Sequence, residues 1–200
     1  MRRILPGKKS KHGHPKVIAV VGSVKGAGCT QFSIALAETI RILYGKRTAV
    51  IELNGSNDFE KIEKQYARRS INKKNNETEM YDIHNVSYYK RVSQKKFFEI
   101  YAGTYQYIVL DIGTNFQKQK EMIIISDKKC LITCHSPWKY EENLKSIEWL
   151  DENLQKERFE CFSSFGVPCN KKIFRQVPIY ATPFELEKKL LSFFVDVLED

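Results

Sequence analysis

Residues 16–36 read KVIAVVGSVKGAGCTQFSIAL and contain three consecutive elements of different composition. After Lys16, residues 17–21 are apolar and mostly β-branched, which is typical of a strand buried on both faces. Residues 22–28 form a glycine-rich turn, and the apolar spacing from Thr30 to Tyr44 predicts a helix that ends at Gly45. A strand, such a turn and a helix N-terminus together predict a backbone cradle for an anion.

Strands and helices alternate outside this segment. A second buried strand at 48–53 completes a βαβ unit, and further strands are predicted at 83–89, 107–111, 130–134 and 159–165. Helices are predicted at 58–69, at 94–102, from the Ser136 N-cap to about 154, and from a Thr182 capping box to about 198. A loop is predicted at 72–79, and 121–127 fits a helix or a strand. The alternation predicts an α/β three-layer sandwich, with a mainly parallel sheet and helices on both faces.

Length and charge suggest one domain with a basic arm. The chain has 200 residues and a net charge of +9, of which +6 lies in the first sixteen residues, which contain no acid. We predict a flexible arm at 1–15 and a single P-loop NTPase-like domain at 16–200. Two interpretations of the arm remain open: contact with an acidic surface, either lipid or nucleic acid, and a solubilising tail.

The rest of the composition favours a cytoplasmic protein. The longest apolar run is five residues, where a membrane span needs about 20, so no transmembrane segment is predicted. The predicted last helix carries a net charge of −3 over residues 181–200, which favours packing on the sheet over binding to an anionic membrane. The chain has five cysteines, an odd number, which argues against a set of disulfide bonds. Cys130 and Cys134 lack the second pair of ligands that a zinc site needs, so no zinc is expected.

The turn differs from a standard phosphate-binding loop, [AG]-x-x-x-x-G-K-[ST], at two of its four specified positions. Ser23 stands at the first position, and Cys29 stands where a lysine normally reaches the phosphates. Lys25 either substitutes for that lysine or is a solvated lysine on a loop that has lost its function. The residues predicted to bind the nucleotide lie in the loop, at the helix start and at the end of the second strand: Lys25, Gly26, Ala27, Gly28, Cys29, Thr30, Gln31 and Glu52.

Two residues form the predicted magnesium site. The Thr30 hydroxyl occupies the position of the metal-binding Ser or Thr of the motif, and Asp111 ends a buried strand. Lys25 and Asp111 are the candidate catalytic residues. Glu52 also ends a buried strand, and a salt bridge at that edge of the sheet is an equal alternative for it.

From residue 16 to residue 198 the chain resembles the ParA/MinD-like branch of the P-loop ATPases, a SIMIBI-class group. Residues 26–30 with the following helix resemble the loop and first helix of the group, and residues 107–113 resemble its Walker B strand and switch. Residues 50–54 lie where the group has a strand ending in Asp-x-Asp, and Val177-Pro178 resembles its late adenine-side segment. Lys25 stands third in the loop, a spacing that is closer to the tyrosine-kinase-like members, and some TadZ-like members also have altered loops, so these two kinds are the most similar.

The resemblance implies a bacterial protein that binds ATP or ADP with magnesium and forms a homodimer across the P-loop. Cys29 makes the Walker A loop degenerate, and Glu52 and Asn54 replace two aspartates of the group. Residues 181–200 contain no tyrosine cluster of the kind that the kinases carry. We therefore expect a pseudo-ATPase, or at most a weak ATPase, that acts on an unidentified cytoplasmic protein as a localisation or assembly switch or scaffold. The alternative is an interaction module that binds no nucleotide and keeps only the fold.

Overall fold

An eight-stranded sheet forms the centre of the structure, a computed structural model that describes residues 14–66, 79–166 and 174–199. The strands are β1 (Lys16–Gly22), β2 (Thr48–Glu52), β3 (Met80–Ile83), β4 (Val86–Tyr89), β5 (Tyr107–Gly113), β6 (Lys128–Cys134), β7 (Glu160–Phe165) and β8 (Arg175–Gln176). The helices are α1 (Cys29–Tyr44), α2 (Asp58–Tyr66), α3 (Gln94–Tyr101), α4 (Lys120–Ile124), α5 (Tyr140–Asn153) and α6 (Lys188–Glu199).

The strand order is β3-β4-β2-β5-β1-β6-β7-β8, and every neighbouring pair is parallel except β3 with β4. β1 and β5 are buried along almost their whole length because helices cover both faces of the sheet. One face packs against α1, α2 and α6, with Phe32, Phe59 and Phe194 fully buried. The other face packs against α3, α4 and α5. The predicted three-layer α/β sandwich is therefore confirmed.

The segment around residues 83–89 was predicted as one short strand, and this prediction is wrong. The structure has an antiparallel hairpin, in which β3 and β4 are joined by His84 and Asn85. Both turn residues have positive φ, 51° and 66°, as a two-residue turn of this kind requires. Asn adopts this conformation more readily than most residues, but a His-Asn pair is a weaker turn signal than Asn-Gly.

The Thr182 capping box is also wrong, because α6 begins only at Lys188. Thr182 Oγ1 instead accepts a hydrogen bond from the N–H of Phe184 within a turn. The Phe184 ring packs against Tyr66 and Tyr88, so tertiary contacts hold this segment outside the helix. As predicted, α6 packs on the sheet through Leu190, Phe194 and Val197.

Several smaller differences concern element ends. Pro137–Lys139 forms a 3₁₀ turn before α5, and the Ser136 hydroxyl contacts Cys134 Sγ instead of capping a helix. The ambiguous 121–127 segment contains the short helix α4, and β8 was not predicted at all. The helix predicted at 58–69 is described as far as Tyr66, and the loop predicted at 72–79 lies, except for its last residue, outside the described residues.

Residues 1–13 of the predicted arm likewise lie outside the described residues. Its last two residues contact the domain: Pro15 is buried, and the His14 ring stacks on Tyr101 with centroids 5.7 Å apart. In the part of the chain that the structure describes, no helix has the length and apolar character needed to cross a membrane.

Candidate phosphate-binding site

The turn between β1 and α1 lies at the carboxyl edge of the sheet, where parallel α/β folds bind their ligands. Gly26 and Gly28 have φ values of 83° and 93°, a conformation that disfavours any other residue. The N–H of Ala27 donates to Val24 O over 3.2 Å and closes the turn. The helical bonds begin with Phe32 N to Gly28 O, so the first N–H groups of α1 have no acceptor within the helix.

The start of the loop is anchored to α5. The buried Ser23 donates its hydroxyl hydrogen bond to Oδ1 of Asn143, and its N–H donates to Ile132 O over 3.0 Å. Asn143 in turn donates to Cys134 O. Ser23 therefore has a structural role in this loop: its hydroxyl joins β1 to the helix that follows β6.

The thiol of Cys29 lies inside the base of the loop. A Cβ added to Gly22 would lie only 2.5 Å from Cys29 Sγ, so the thiol packs directly on the glycine that ends β1. Burial, reinforced by the charge of Asp111, raises the pKa of this thiol well above its ordinary value. A neutral, buried thiol supplies no positive charge to the cradle.

Three polar side chains meet beside the loop. Thr30 Oγ1 donates to Asp111 Oδ2 over 2.6 Å, and Asn54 Nδ2 donates to the same oxygen over 2.9 Å. Gly113 makes this approach possible, because a Cβ there would lie 2.9 Å from the Cβ of Asn54. The side chain of Asp111 is fully buried, and its second oxygen, Oδ1, has no hydrogen-bond partner among the described residues.

Burial raises the pKa of Asp111 to about 7, against the opposing hydrogen bonds from Thr30 and Asn54. An unpartnered carboxylate oxygen beside a threonine hydroxyl is a donor set that suits Mg²⁺. Magnesium sites in nucleotide-binding proteins commonly use one or two protein carboxylates and complete the coordination with phosphate oxygens and water. Among the described residues, no group of three or more His, Cys, Asp or Glu side chains is placed to hold a metal ion.

Glu52 forms its hydrogen bonds with the segment that follows β2, whereas Thr30 and Asn54 form theirs with Asp111. Its buried carboxylate accepts from the N–H of Phe59 over 3.1 Å and from the hydroxyl of Ser56 over 3.3 Å. Glu52 thus stabilises the start of α2, and the residue that reaches Asp111 from the end of β2 is Asn54. The sequence signal for Asn54 was its place as the last residue of the segment that resembles Asp-x-Asp.

Lys25 and Gln31 occupy the rim of the loop. Lys25 is exposed. Gln31 Nε2 donates to Tyr180 O over 3.3 Å, which joins the first turn of α1 to the segment after β8. The structure therefore places Thr30 with Asp111 at one end of the loop and Lys25 at its outer edge.

No protein-family model matches the chain, and no curated protein matches its sequence. Solved structures do. A protein of Borrelia burgdorferi described as a plasmid partition protein and bound to AMPPNP matches with a TM-score of 0.58 and 17% identity, over 92% of this chain and 97% of that one. A second plasmid partition structure from the same organism matches with a TM-score of 0.56 and 16% identity, over 92% and 96% of the two chains.

The MinD cell division protein of Aquifex aeolicus matches with a TM-score of 0.52 and 16% identity, over 74% of this chain and 68% of that one. At these identities the likeness concerns the fold. The chain shares the fold of these plasmid partition proteins and of MinD, as the resemblance to the ParA/MinD-like group predicts.

Proposed function

We propose that the chain binds ATP or ADP with magnesium at the loop of residues 23–30 and hydrolyses it weakly or not at all. In this proposal the nucleotide controls a localisation or assembly switch, or completes a scaffold, for a protein partner in a bacterial cytoplasm. The observation that carries the proposal is the Thr30–Asp111 contact of 2.6 Å beside a glycine cradle, with Asp111 Oδ1 unpartnered among the described residues. The AMPPNP bound by the Borrelia protein of the same fold supports it.

Each part of the site has a separate task. The N–H groups of Gly28, Cys29 and Thr30 would face the phosphates, and Gln31 and the segment around Tyr180 would border the nucleotide. Thr30 and Asp111 would hold Mg²⁺, with Asn54 fixing the orientation of the Asp111 carboxylate. When bound, the ion would supply the positive charge that the loop lysine of the motif normally brings to the phosphates and that Cys29 cannot.

A titration of the 200-residue chain with ATP by calorimetry tests the proposal. With Cys29 in place of lysine, we expect binding in the presence of magnesium and an affinity at least about tenfold lower in EDTA, because the ion is then the main cation of the site. Thr30→Val should reduce the magnesium effect, while Ser56→Ala, in the loop after β2, should not. Equal affinities with and without magnesium would contradict the assigned roles of Thr30 and Asp111.

A second candidate function is an interaction module that binds no nucleotide. The buried thiol of Cys29, packed on Gly22, is the observation that favours it. In that case calorimetry detects no binding of ATP or ADP that depends on magnesium or that Thr30→Val weakens. The same titration therefore distinguishes the two functions.

The proposal includes a homodimer formed across the loops, with Lys25 reaching the nucleotide of the partner. No other Lys or Arg lies between Lys16 and Arg41, and Lys25 is exposed. We expect ATP with magnesium to shift a monomer–dimer equilibrium towards the dimer, and Lys25→Ala to abolish the shift. Sedimentation at several protein concentrations measures it, with Lys156→Ala as the control for loss of an exposed lysine. If the mass of the unmodified chain is the same with and without nucleotide, the switch is excluded.

Residues 16–200 are proposed to act as one domain, and residues 1–15 as a basic arm. The composition of the arm suits an acidic surface, either lipid or nucleic acid, and equally a solubilising tail.

A further inference from the structure

A second cluster of charged side chains lies at the amino ends of the strands, the edge of the sheet opposite to the phosphate loop. It lines a cleft of about 600 Å³. The lining contains five cations, namely Lys16, Lys128, Lys129, Arg158 and Arg175. Two acids, Asp127 and Glu160, also line the cleft, which leaves a net charge of +3.

The parallel register brings much of this charge to one face of the sheet. Lys128 stands beside Ile18, two residues after Lys16, and Glu160 stands beside Cys130, two residues after Lys128. Side chains two residues apart on a strand share a face, so Lys16, Lys128 and Glu160 project on the same side. The cluster is therefore a consequence of strand pairing between segments more than a hundred residues apart.

The acids of the cluster already have partners. Glu160 forms an ion pair with Lys128 and lies 3.7 Å from the guanidinium of Arg175. Asp127 Oδ2 accepts a hydrogen bond from the N–H of Val17 over 2.7 Å.

The cations are less completely matched. Lys129 pairs with Glu157, outside the cleft lining, and also donates to Ser126 O. Lys16 and Arg158 form no ion pair with any residue that the structure describes. The cleft lining therefore has more cations than acids, and the one acid without an ion-pair partner among the described residues, Asp127, lies close enough to Lys16 to act on its charge.

Three of the five cations, Lys16, Lys128 and Lys129, are also partly or largely desolvated, whereas Arg158 is exposed. The side chains of Lys128 and Lys129 are only 8% and 9% exposed. Partial burial, together with the neighbouring charge of Lys128, lowers the pKa of Lys16. Cations held close together in a partly buried cleft favour the entry of an anion.

We propose that this cleft binds a small ligand through a phosphate or diphosphate group, either as the free inorganic anion or as part of an organic molecule. Ammonium and guanidinium groups are hydrogen-bond donors without acceptors, which suits the oxygens of a phosphate. The volume lies in the range of small-molecule sites and is far too small for a nucleic acid duplex. This site is separate from the candidate nucleotide site and does not depend on it.

Calorimetry of the 200-residue chain with inorganic pyrophosphate in EDTA tests the proposal. We expect Lys16→Gln and Arg158→Gln each to weaken binding about fivefold or more, since each removes a charged contact. Lys156→Gln removes the same charge from an exposed residue near Arg158 that does not line the cleft, and it should change the affinity little. Thermal unfolding checks that each variant folds.

A loop variant separates the two sites. Thr30→Val should leave pyrophosphate binding in EDTA unchanged, whatever the fate of the proposed nucleotide site. A repeat with ADP identifies the source of the phosphate: tighter binding of ADP than of pyrophosphate, weakened by Lys16→Gln, indicates an organic diphosphate, and tighter binding of pyrophosphate indicates the inorganic anion. The proposal is overturned if pyrophosphate does not bind at millimolar concentration, or if Lys16→Gln and Lys156→Gln bind it equally.

Discussion

Asp111→Asn is expected to raise the free energy of unfolding of the magnesium-free protein by about 1–3 kcal/mol at pH 8. The pKa of Asp111 lies at about 7 in the folded chain because its carboxyl is buried, and near 3.8 in the unfolded chain. Ionising the buried group therefore costs about 4 kcal/mol, at about 1.4 kcal/mol per pH unit. The asparagine avoids this cost but leaves a buried N–H group without an acceptor, a loss of about 1–3 kcal/mol.

The pH dependence has a definite sign. A group whose pKa is raised on folding contributes its full stability below its unfolded pKa and loses it as the pH rises through the folded pKa. In EDTA, the contribution of Asp111 should therefore fall between about pH 4 and pH 7, and this decrease should be missing in Asp111→Asn. Denaturant unfolding at several pH values measures both curves.

Asp196→Asn provides the matched control, because Asp196 is an exposed aspartate of α6. Its curve should follow that of the unmodified chain. The interpretation of Asp111 is contradicted if Asp111→Asn loses stability between pH 4 and pH 7 as the unmodified chain does. The same substitution should remove the effect of magnesium on ATP affinity, since it replaces the carboxylate with a neutral amide.

Cys29→Lys is expected to raise the affinity for ATP, or its turnover, at least about tenfold, which corresponds to ~1.4 kcal/mol. Cys29 occupies the lysine position of the motif, and its thiol lies in the base of the loop against Gly22. An ammonium group on a longer side chain from this position would bring positive charge to the phosphates. It would also lie near Asp111 and lower the pKa of that carboxyl, which should flatten the pH dependence of stability.

Cys29→Met separates charge from size, because methionine lengthens the side chain without charging it. Calorimetry and phosphate release should show the gain for lysine alone. If neither variant changes affinity or turnover, the defect lies elsewhere, either in the shape of the loop or in the replacement of an aspartate by Glu52.

The central elements could be predicted from the sequence because each has a strong local signal. Continuous apolar runs mark β1, β2, β5 and β6. Closely spaced glycines mark the phosphate loop, and in the structure Gly26 and Gly28 have positive φ. The start of α6 could not be predicted in the same way. The Thr182 capping pattern is a genuine local preference, but the packing of Phe184 against Tyr66 and Tyr88 outweighs it.

The candidate site could also be predicted in part from the sequence: the Thr30–Asp111 pair could be, and the partner from the end of β2 could not. Thr30 and Asp111 were expected together because a loop and a neighbouring strand end meet at the carboxyl edge of a parallel sheet, and the structure joins them at 2.6 Å. Whether Glu52 or Asn54 reaches Asp111 depends on how the chain turns after β2. Ser56 and the N–H of Phe59 engage Glu52, and the missing side chain of Gly113 admits Asn54.

The sequence by itself determined the strand–loop–helix unit, the alternation that gives a parallel sheet, and the loss of the loop lysine at Cys29, because these depend on residues close together in the chain. Only the tertiary structure decided the partners of Asp111 and the cationic cleft at the other edge. Lys16 and Lys128 are 112 positions apart and become neighbours only when β1 pairs with β6. No local pattern encodes such a contact, since it follows from the order of the strands in the sheet.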